Sequence, residues 1–232
     1  MDVSLSFAGE LFRPMVCGAL YWPAQSALLV ADLHLEKASA FARRGWLLPP
    51  YDSAETLRLL INALEVTGAS RVICLGDSFH DAGGPDRLPE GPRATLRALT
   101  GSLDWLWITG NHDDRAGAVL GGRIMSEAHF GPLMLRHQAD PDYPAPEVSG
   151  HFHPKIAIRL RGRRIVRRCF AASAKKLILP AYGAFTGGLD VADAAIMNAM
   201  PGRIVAIVAD NDRLLRFPVN PPLAARPRVA AE

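Results

Sequence analysis

Cysteine is scarce in this chain, which has only three among its 232 residues: Cys17, Cys74 and Cys169. The number is odd and no two of them form a CxxC pair, so neither a disulfide framework nor a cysteine-based zinc site is expected. Cys74 lies inside an apolar run, which is typical of a small buried side chain. This cysteine usage indicates a reducing compartment.

Long apolar runs are also absent. No stretch approaches the roughly 18 residues that a membrane-spanning helix needs, and residues 1–12 lack the basic start and apolar core of a signal peptide. We therefore expect a cytoplasmic protein. Neither sign of charge is in large excess, because 26 Lys and Arg stand against 23 Asp and Glu, for a net charge of +3. That balance permits a polyanionic partner without requiring one.

Apolar runs with strand character recur along the chain, and most end at polar turns that contain glycine. In the first half they alternate with helical patterns, the clearest of which covers residues 52–68. Asp52 and Glu55 are spaced for a capping box at its start, and shorter helices are expected around 36–44 and 90–100. The runs with strand character cover residues 27–34, 71–77, 103–113, 132–137, 146–154, 156–166, 175–183 and 202–217.

The second half is mostly strands with short turns, including predicted hairpins over Gly162 and over Asn211–Asp212. Strand–helix alternation followed by successive strands predicts an α/β protein whose sheets turn antiparallel late in the chain. We expect one domain over residues 1–217, followed by a Pro- and Ala-rich tail over residues 218–232 that frays.

Side chains that can bind metal stand at the ends of five successive strand runs. They are Asp32 and His34; Asp77; Asn111, His112 and Asp113; His137; and His151 and His153. In α/β sheets, ligands bind beyond the carboxyl ends of the strands. Because side chains alternate along a strand, Asp32 and His34 are expected on one side, and Phe152 is expected to point away from its histidine neighbours. Each motif alone is typical of an ordinary turn, but all five together indicate a site.

Imidazole, carboxylate and amide donors suit Mn, Fe, Zn or a similar divalent ion, with the exact ion left open. Leaving His112 and Asp113 aside, seven such ligands exceed what one ion needs, whereas two ions that share a carboxylate would use them all. Two-metal sites commonly clamp the attacking and leaving oxygens of an in-line displacement, usually phosphoryl transfer.

The motifs D-x-H, GD, GNHD, H and GHxH, in this order over residues 32–153, resemble those of the calcineurin-like metallophosphoesterases. The resemblance implies a mixed β-sandwich of two sheets flanked by helices, which is the four-layer metallophosphoesterase fold. It also implies a binuclear metal centre, with Mn as the expected ion and Fe, Zn, Mg or others as alternatives.

A closer similarity covers most of the chain. The stretches VADLHLEK (30–37), LGDSFHD (75–81), ITGNHD (108–113), GHFHP (150–154) and LILPAYGAFTGGLDV (177–191) resemble the ligase-associated DNA damage response endonuclease family, PdeM. This resemblance implies an endonuclease acting in DNA repair, which hydrolyses phosphodiester bonds by metal-activated hydroxide. It further implies DNA as a partner and a functional association with an ATP-dependent DNA ligase and a helicase.

The resemblance also implies a role for each ligand. Asp32, His34 and His153 would hold the first metal, Asn111, His137 and His151 would hold the second, and Asp77 would bridge both.

Three further residues are catalytic candidates by the same resemblance. His112 would protonate the leaving oxygen or steady the developing charge, and Asp113 would orient His112. His80, in the segment GDSFH, would face the scissile phosphate, or else would be a turn residue near the rim. His129 matches no motif and is interpreted as structural, in a turn before a strand.

The substrate is open between two classes. The segment RLRGRRIVRR (159–168) suggests a basic hairpin that follows a nucleic-acid backbone, with Arg159, Arg161 and Arg163 as candidate contacts, or simply a solvated hairpin. A phosphodiesterase of small molecules such as cyclic nucleotides is the alternative function, and a non-catalytic scaffold is disfavoured by the presence of His112. The glycine-rich segment 179–190 is expected to form a loop near the metal centre.

Overall fold

The computed structural model describes residues 3–111 and 120–219. Within them, the first half of the chain forms a seven-stranded sheet with its strands in sequence order. The strands are β1 (Leu5–Phe7), β2 (Glu10–Pro14), β3 (Leu20–Trp22), β4 (Ala27–Val30), β5 (Arg71–Leu75), β6 (Asp104–Ile108) and β7 (Arg123–Met125). Pairing is antiparallel from β1 to β4 and parallel from β4 to β7. The sequence patterns do not anticipate β1 to β3.

The second half forms another seven-stranded sheet and a separate hairpin. The strands are β8 (Glu127–Phe130), β9 (Leu133–Arg136), β10 (Glu147–Ser149), β11 (Lys155–Leu160), β12 (Arg163–Arg168), β13 (Phe170–Ala172), β14 (Lys176–Ile178), β15 (Ile204–Asp210) and β16 (Arg213–Val219). The order in the sheet is β16-β15-β13-β14-β10-β9-β8, and β11 and β12 form a separate two-stranded sheet. Both hairpins predicted from the sequence are present, at β11–β12 and β15–β16.

Helices lie outside the sheets. Those of the described residues are α1 (Lys37–Ala42), α2 (Asp52–Thr67), α3 (Gly84–Arg87), α4 (Glu90–Ser102) and α5 (Ala194–Ala199), and none of them is long and apolar enough to cross a membrane. The capping box predicted for α2 is wrong. Tyr51 is the N-cap without a side-chain hydrogen bond, and Asp52 is already helical. The Asp52 carboxylate instead accepts a hydrogen bond from the N–H of Ala38, at 2.9 Å, which ties α2 to α1.

The core is divided by the two sheets into three apolar layers. Alternate residues of the first sheet, such as Leu29 and Ile73, pack between the sheets against Val148 and Leu177. The residues between them, such as Leu28, Val72 and Trp105, pack beneath Leu60 of α2 and Leu96 of α4. The outer face of the second sheet, with Ala171 and Ile178, is covered by Ile196 of α5. These layers confirm the predicted α/β sandwich of two mixed sheets flanked by helices.

The carboxyl ends of the parallel strands of both sheets meet at one edge of the sandwich. Just past β4, Ala31 pairs with Ala181, and the N–H of Tyr182 donates to the carbonyl of Ala31 at 2.8 Å. In the second sheet, the N–H of Gly150 after β10 donates to the carbonyl of His137 after β9, also at 2.8 Å. The strands end earlier than the sequence patterns predict, so the polar motifs lie on turns beyond them.

Candidate metal centre

Six of the predicted ligands form two clusters at this edge. Asp32, His34 and His153 make one cluster, and Asp77, His137 and His151 make the other, with the donor atoms of each cluster within 4.8 Å of one another. Each cluster draws side chains from both sheets. The centre therefore depends on the packing of the whole sandwich.

The first cluster joins the turn after β4 to the turn after β10. The Nε2 atoms of His34 and His153 lie 3.4 Å apart, and Nε2 of His153 lies 3.2 Å from Oδ1 of Asp32. Asp32 is fully buried and His34 is nearly so. A buried carboxylate is costly unless it is paired or coordinates a metal, so this donor set suits a cation.

The second cluster joins the turn after β5 to the turns after β9 and β10. Nε2 of His137 lies 3.6 Å from Oδ1 of Asp77 and 3.1 Å from Nδ1 of His151. Nδ2 of Asn111, just past β6, lies 3.5 Å from the same Nδ1 atom. The structure thus brings Asn111, the remaining residue predicted for the second metal, beside this cluster.

Hydrogen bonds to the backbone orient these ligands. Nδ1 of His137 lies 2.9 Å from the carbonyl oxygen of Leu75, which can only accept, so Nδ1 carries the proton. Nε2 of His137 therefore keeps its lone pair on the side of Asp77, as a metal ligand requires. The N–H of His151 donates to Oδ2 of Asp32 at 2.9 Å, which links the two clusters.

The ligand-bearing turns share an uncommon backbone conformation. Asp32, His34, Asp77, His151 and His153 all have positive φ, between 44° and 74°. For residues other than glycine this left-handed region costs roughly 1–2 kcal/mol each, and such strain concentrates at functional sites. We expected strand alternation to point Asp32 and His34 to the same side. That explanation is wrong, because both residues lie beyond β4 in left-handed turns.

Two glycines make room for ligands at close quarters. A Cβ atom on Gly76, directly before Asp77, would overlap the ring of His137. A Cβ atom on Gly150, directly before His151, would come within 2.6 Å of Oδ2 of Asp32. The glycines of the GD and GHFHP motifs therefore let one strand end approach the ligand of another.

The surroundings of His151 favour its neutral imidazole. The pKa of His151 is lowered, first by burial and then by the neighbouring ring of His137. A neutral ring offers its lone pair to a metal without first losing a proton. With their carboxylate and imidazole donors, the two clusters fit a binuclear metal site.

A cleft of about 460 Å³ opens over the two clusters, lined by His34, His80, His151 and His153. The ring of His80 stands edge-on to the ring of His34, with centroids 5.7 Å apart. Residues 186–189 of the glycine-rich segment form another wall. The structure thus places both His80 and this loop beside the centre.

Sequence reasoning missed two ammonium groups that bond to the loop beside this cleft. Nζ of Lys37 donates to the carbonyl of Phe185 at 3.1 Å, and Nζ of Lys155 donates to the carbonyl of Thr186 at 3.2 Å. The pKa of Lys37 is lowered by burial and then by the charge of Lys155. The places of these two lysines in the sequence could have indicated them, because Lys37 ends the VADLHLEK stretch and Lys155 directly follows GHFHP.

The remaining candidate residues fall in different places. His112 and Asp113 lie outside the described residues. Arg159 and Arg163 belong to β11 and β12, and Arg161 lies in the turn between them. His129 belongs to the strand β8, not to the turn that was expected, because it pairs with Met134 of β9.

Comparison with known proteins gives one strong structural likeness. No protein-family model matches the chain, and neither does any curated protein sequence. The crystal structure of the Pseudomonas putida nuclease MPE is similar, with 28% sequence identity and a TM-score of 0.68 over 92% of this chain and 98% of that one. The structure of Yfce, a phosphoesterase from E. coli, is 14% identical, with a TM-score of 0.44 over 84% of this chain and 99% of that one.

Proposed function

We propose that this chain, which has the calcineurin-like metallophosphoesterase fold, is a binuclear-metal phosphodiesterase that cleaves DNA as an endonuclease. The observation that carries the proposal is the pair of Asp and His clusters at the edge where strands of both sheets end. The likeness to a nuclease over almost the full length of both chains supports the same chemistry. Both findings support a hydrolase of phosphoester bonds.

In this proposal each cluster holds one divalent ion. Asp32, His34 and His153 would hold the first, His137, His151 and Asn111 would hold the second, and Asp77 would serve as the shared carboxylate. When bound, two such ions lower the pKa of coordinated water and neutralise charge on a phosphoryl group. Mn is the ion we propose on the motif resemblance, and the mixed imidazole and carboxylate donors are compatible with it.

The protein groups around the ions have separate tasks. Asp32 and Asp77 hold positive charge in place, and the backbone N–H of His151 fixes the Asp32 carboxylate. His80 stands in the cleft, where it can donate a hydrogen bond to a phosphate oxygen. By the motif resemblance, His112 donates a proton to the departing alkoxide and Asp113 orients its ring.

DNA is the proposed substrate because the basic hairpin β11–β12 begins two residues after His153 of the cleft and lines an adjoining pocket. Contact would be made through phosphates without sequence specificity. An association with an ATP-dependent DNA ligase and a helicase belongs to this proposal. The second candidate is a phosphodiesterase of cyclic nucleotides, which the cleft of about 460 Å³ favours because that volume lies in the range of small-molecule pockets.

Purified protein with Mn should be tested on supercoiled plasmid, on single-stranded DNA and on a cyclic nucleotide. The endonuclease proposal predicts nicked and then linear plasmid, with no product when EDTA is present. Cleavage of the cyclic nucleotide alone would replace the nuclease by the second candidate. No product from any substrate would overturn the proposed enzyme.

A further inference from the structure

A second pocket adjoins the cleft on the side of the β11–β12 hairpin. Its volume is about 390 Å³, and it shares His153, Thr186 and Gly187 with the cleft over the metal clusters. The two spaces are thus separated only by a metal-cluster ring and a short loop. A polynucleotide strand bound in the cleft would reach this second pocket by crossing that partition.

The walls of the second pocket differ in character. Lys155 and Arg168 bring positive charge, and Val16 and Pro180 provide apolar surface. Among the described residues, no Asp or Glu lines the pocket. Such a site suits a nucleotide, because the cations can bind its phosphate and the apolar surface can contact its sugar and base.

The register of the hairpin extends the positive charge away from this pocket. Lys155 lies opposite Arg168, and Arg159 lies opposite Arg164. Directly opposed residues share a face, and alternate residues of a strand do too, so these four cations lie on the pocket side. Arg163 lies on the other face, which also carries Ile156 packed against the outer core.

Of the three cations that line the pocket, Lys155, Arg167 and Arg168, the first and the last are held in place by backbone oxygens. Nη1 of Arg168 donates to the carbonyl of Cys17 at 2.6 Å, and Nζ of Lys155 donates to the carbonyl of Thr186 at 3.2 Å. An ammonium group has three donors and a guanidinium has five. Each side chain therefore keeps N–H groups for an anion after making its structural bond.

We propose that this pocket binds the phosphodiester next to the scissile one in a polynucleotide strand, with Lys155 and Arg168 donating to that phosphate. Arg159 and Arg164 contact phosphates further along, since four residues of strand carry them about 13 Å beyond the pocket. This inference rests on the proposed function and deepens it, because it makes substrate length a determinant of specificity.

Cleavage should be compared between a thymidine dinucleotide, which has one phosphodiester, and the trinucleotide, which has two. With Mn, the wild-type kcat/KM is expected to be about tenfold higher for the trinucleotide, through charge-assisted contacts to the second phosphate. In Lys155→Gln the ratio should fall towards one. Glutamine keeps a donor for the carbonyl of Thr186, and the unfolding midpoint checks the fold.

The matched control is Lys175→Gln, which removes one positive charge just before β14, at the end of the sheet away from the metal clusters. It should retain the wild-type ratio of trinucleotide to dinucleotide. A second pair separates the two faces of the hairpin: on a longer oligothymidylate, Arg164→Gln should raise KM and Arg163→Gln should not.

A binding readout works without catalysis. Anisotropy of a labelled hexathymidylate, with EDTA present, gives the slope of log K against log salt. That slope should fall by about 0.7 for each lost phosphate contact, in Lys155→Gln and Arg164→Gln but not in the two controls. The proposed phosphate subsite would be overturned if Lys155→Gln and Lys175→Gln had equal ratios of trinucleotide to dinucleotide kcat/KM and equal slopes of log K against log salt. Absence of all cleavage by the wild type, with the slope difference intact, would overturn only the proposed function.

Discussion

Asp77 combines the properties that a bridging carboxylate needs. Its side chain is buried, it lies 3.6 Å from the ring nitrogen of His137, and its backbone is fixed in a left-handed turn by the chain around it. A small uncharged side chain in place of Asp77 would remove the negative charge that is proposed to join the two metal sites.

Asp77→Ala is therefore expected to lower bound Mn from about two ions per chain to fewer than one, and to abolish phosphodiesterase activity with it. The measurement is metal analysis after dialysis, paired with hydrolysis of a nitrophenyl phosphodiester. His112→Ala is the contrasting variant, because a proton donor contributes typically 10²–10⁴-fold in rate without holding metal. Full activity in His112→Ala would refute the role proposed for that residue.

The choice of His137 over His129 as a ligand can be tested in the same way. His137 is buried against Leu75 and Asp77, whereas His129 is exposed on β8. We expect His137→Ala to lose one Mn ion per chain and His129→Ala to lose none, as measured by titration calorimetry. Equal stoichiometry in the two variants would mean that another residue completes the second cluster.

The turns beyond the strands determine how the ligands meet. Beyond β4, β5 and β10, the ligand-bearing residues enter left-handed conformations that no strand could continue. The glycines before the ligands then allow close approach between these turns. A substitution at such a glycine should disturb the metal centre more than the fold.

Gly76→Ala and Gly45→Ala form a matched pair for this point, because both glycines have φ of +80°. An added Cβ at Gly45 meets nothing within 4 Å, whereas at Gly76 it overlaps the ring of His137. Gly45→Ala should lose about 1–2 kcal/mol of unfolding free energy, Gly76→Ala should lose more because of the overlap, and only Gly76→Ala should also lose the second Mn ion. Chemical denaturation and metal analysis provide the two readouts, and equal metal content would refute the argument.

At the scale of elements, periodicity predicts α2 and both hairpins well, because a 3.6-residue pattern and a turn between alternating runs are local signals. Strand ends are predicted too long because apolar patterns do not reveal left-handed turns. Phe152 packs in the core on the outer face of the second sheet, but it lies in a turn and its ring stays in contact with that of His151, with centroids 4.9 Å apart. The strand alternation that was expected to point Phe152 away from its histidine neighbours is therefore wrong. Lys37 and Lys155 were missed because only the folded loop that ends near Thr186 brings them together.

Across the whole molecule, the metal centre requires the two sheets to stay in register, and a buried ionic cluster fixes the second sheet. Lys176 of β14 and Glu147 of β10 are almost fully buried, with Nζ 3.1 Å from Oε1. Nζ also donates to the carbonyls of Asp140 and Tyr143, at 2.6 and 3.0 Å. Burial raises the pKa of Glu147, and the hydrogen bond from Lys176 opposes that effect.

Lys176→Met should thus destabilise the fold near neutral pH, because it takes the ammonium partner from a buried carboxylate. The loss should be smaller than the roughly 3–5 kcal/mol of a fully unpaired buried charge, because Glu147 keeps the N–H of Asp140 at 2.8 Å and Arg136 at 3.5 Å. Glu147 has a raised pKa in the folded state, so its favourable contribution is present below its unfolded pKa, about 4.3, and is lost as pH rises through the folded pKa. The deficit of the variant should therefore shrink as the pH falls. Urea unfolding at several pH values measures this, and a deficit independent of pH would contradict it.

The central claim is that two metal ions sit at the edge where the two sheets meet, one in each cluster. The most direct measurement is an anomalous difference map from crystals of the wild-type protein grown with Mn. We predict two peaks per chain, one contacting Asp32, His34 and His153, and the other contacting His137 and His151. A single peak, or a peak away from both clusters, would contradict the account.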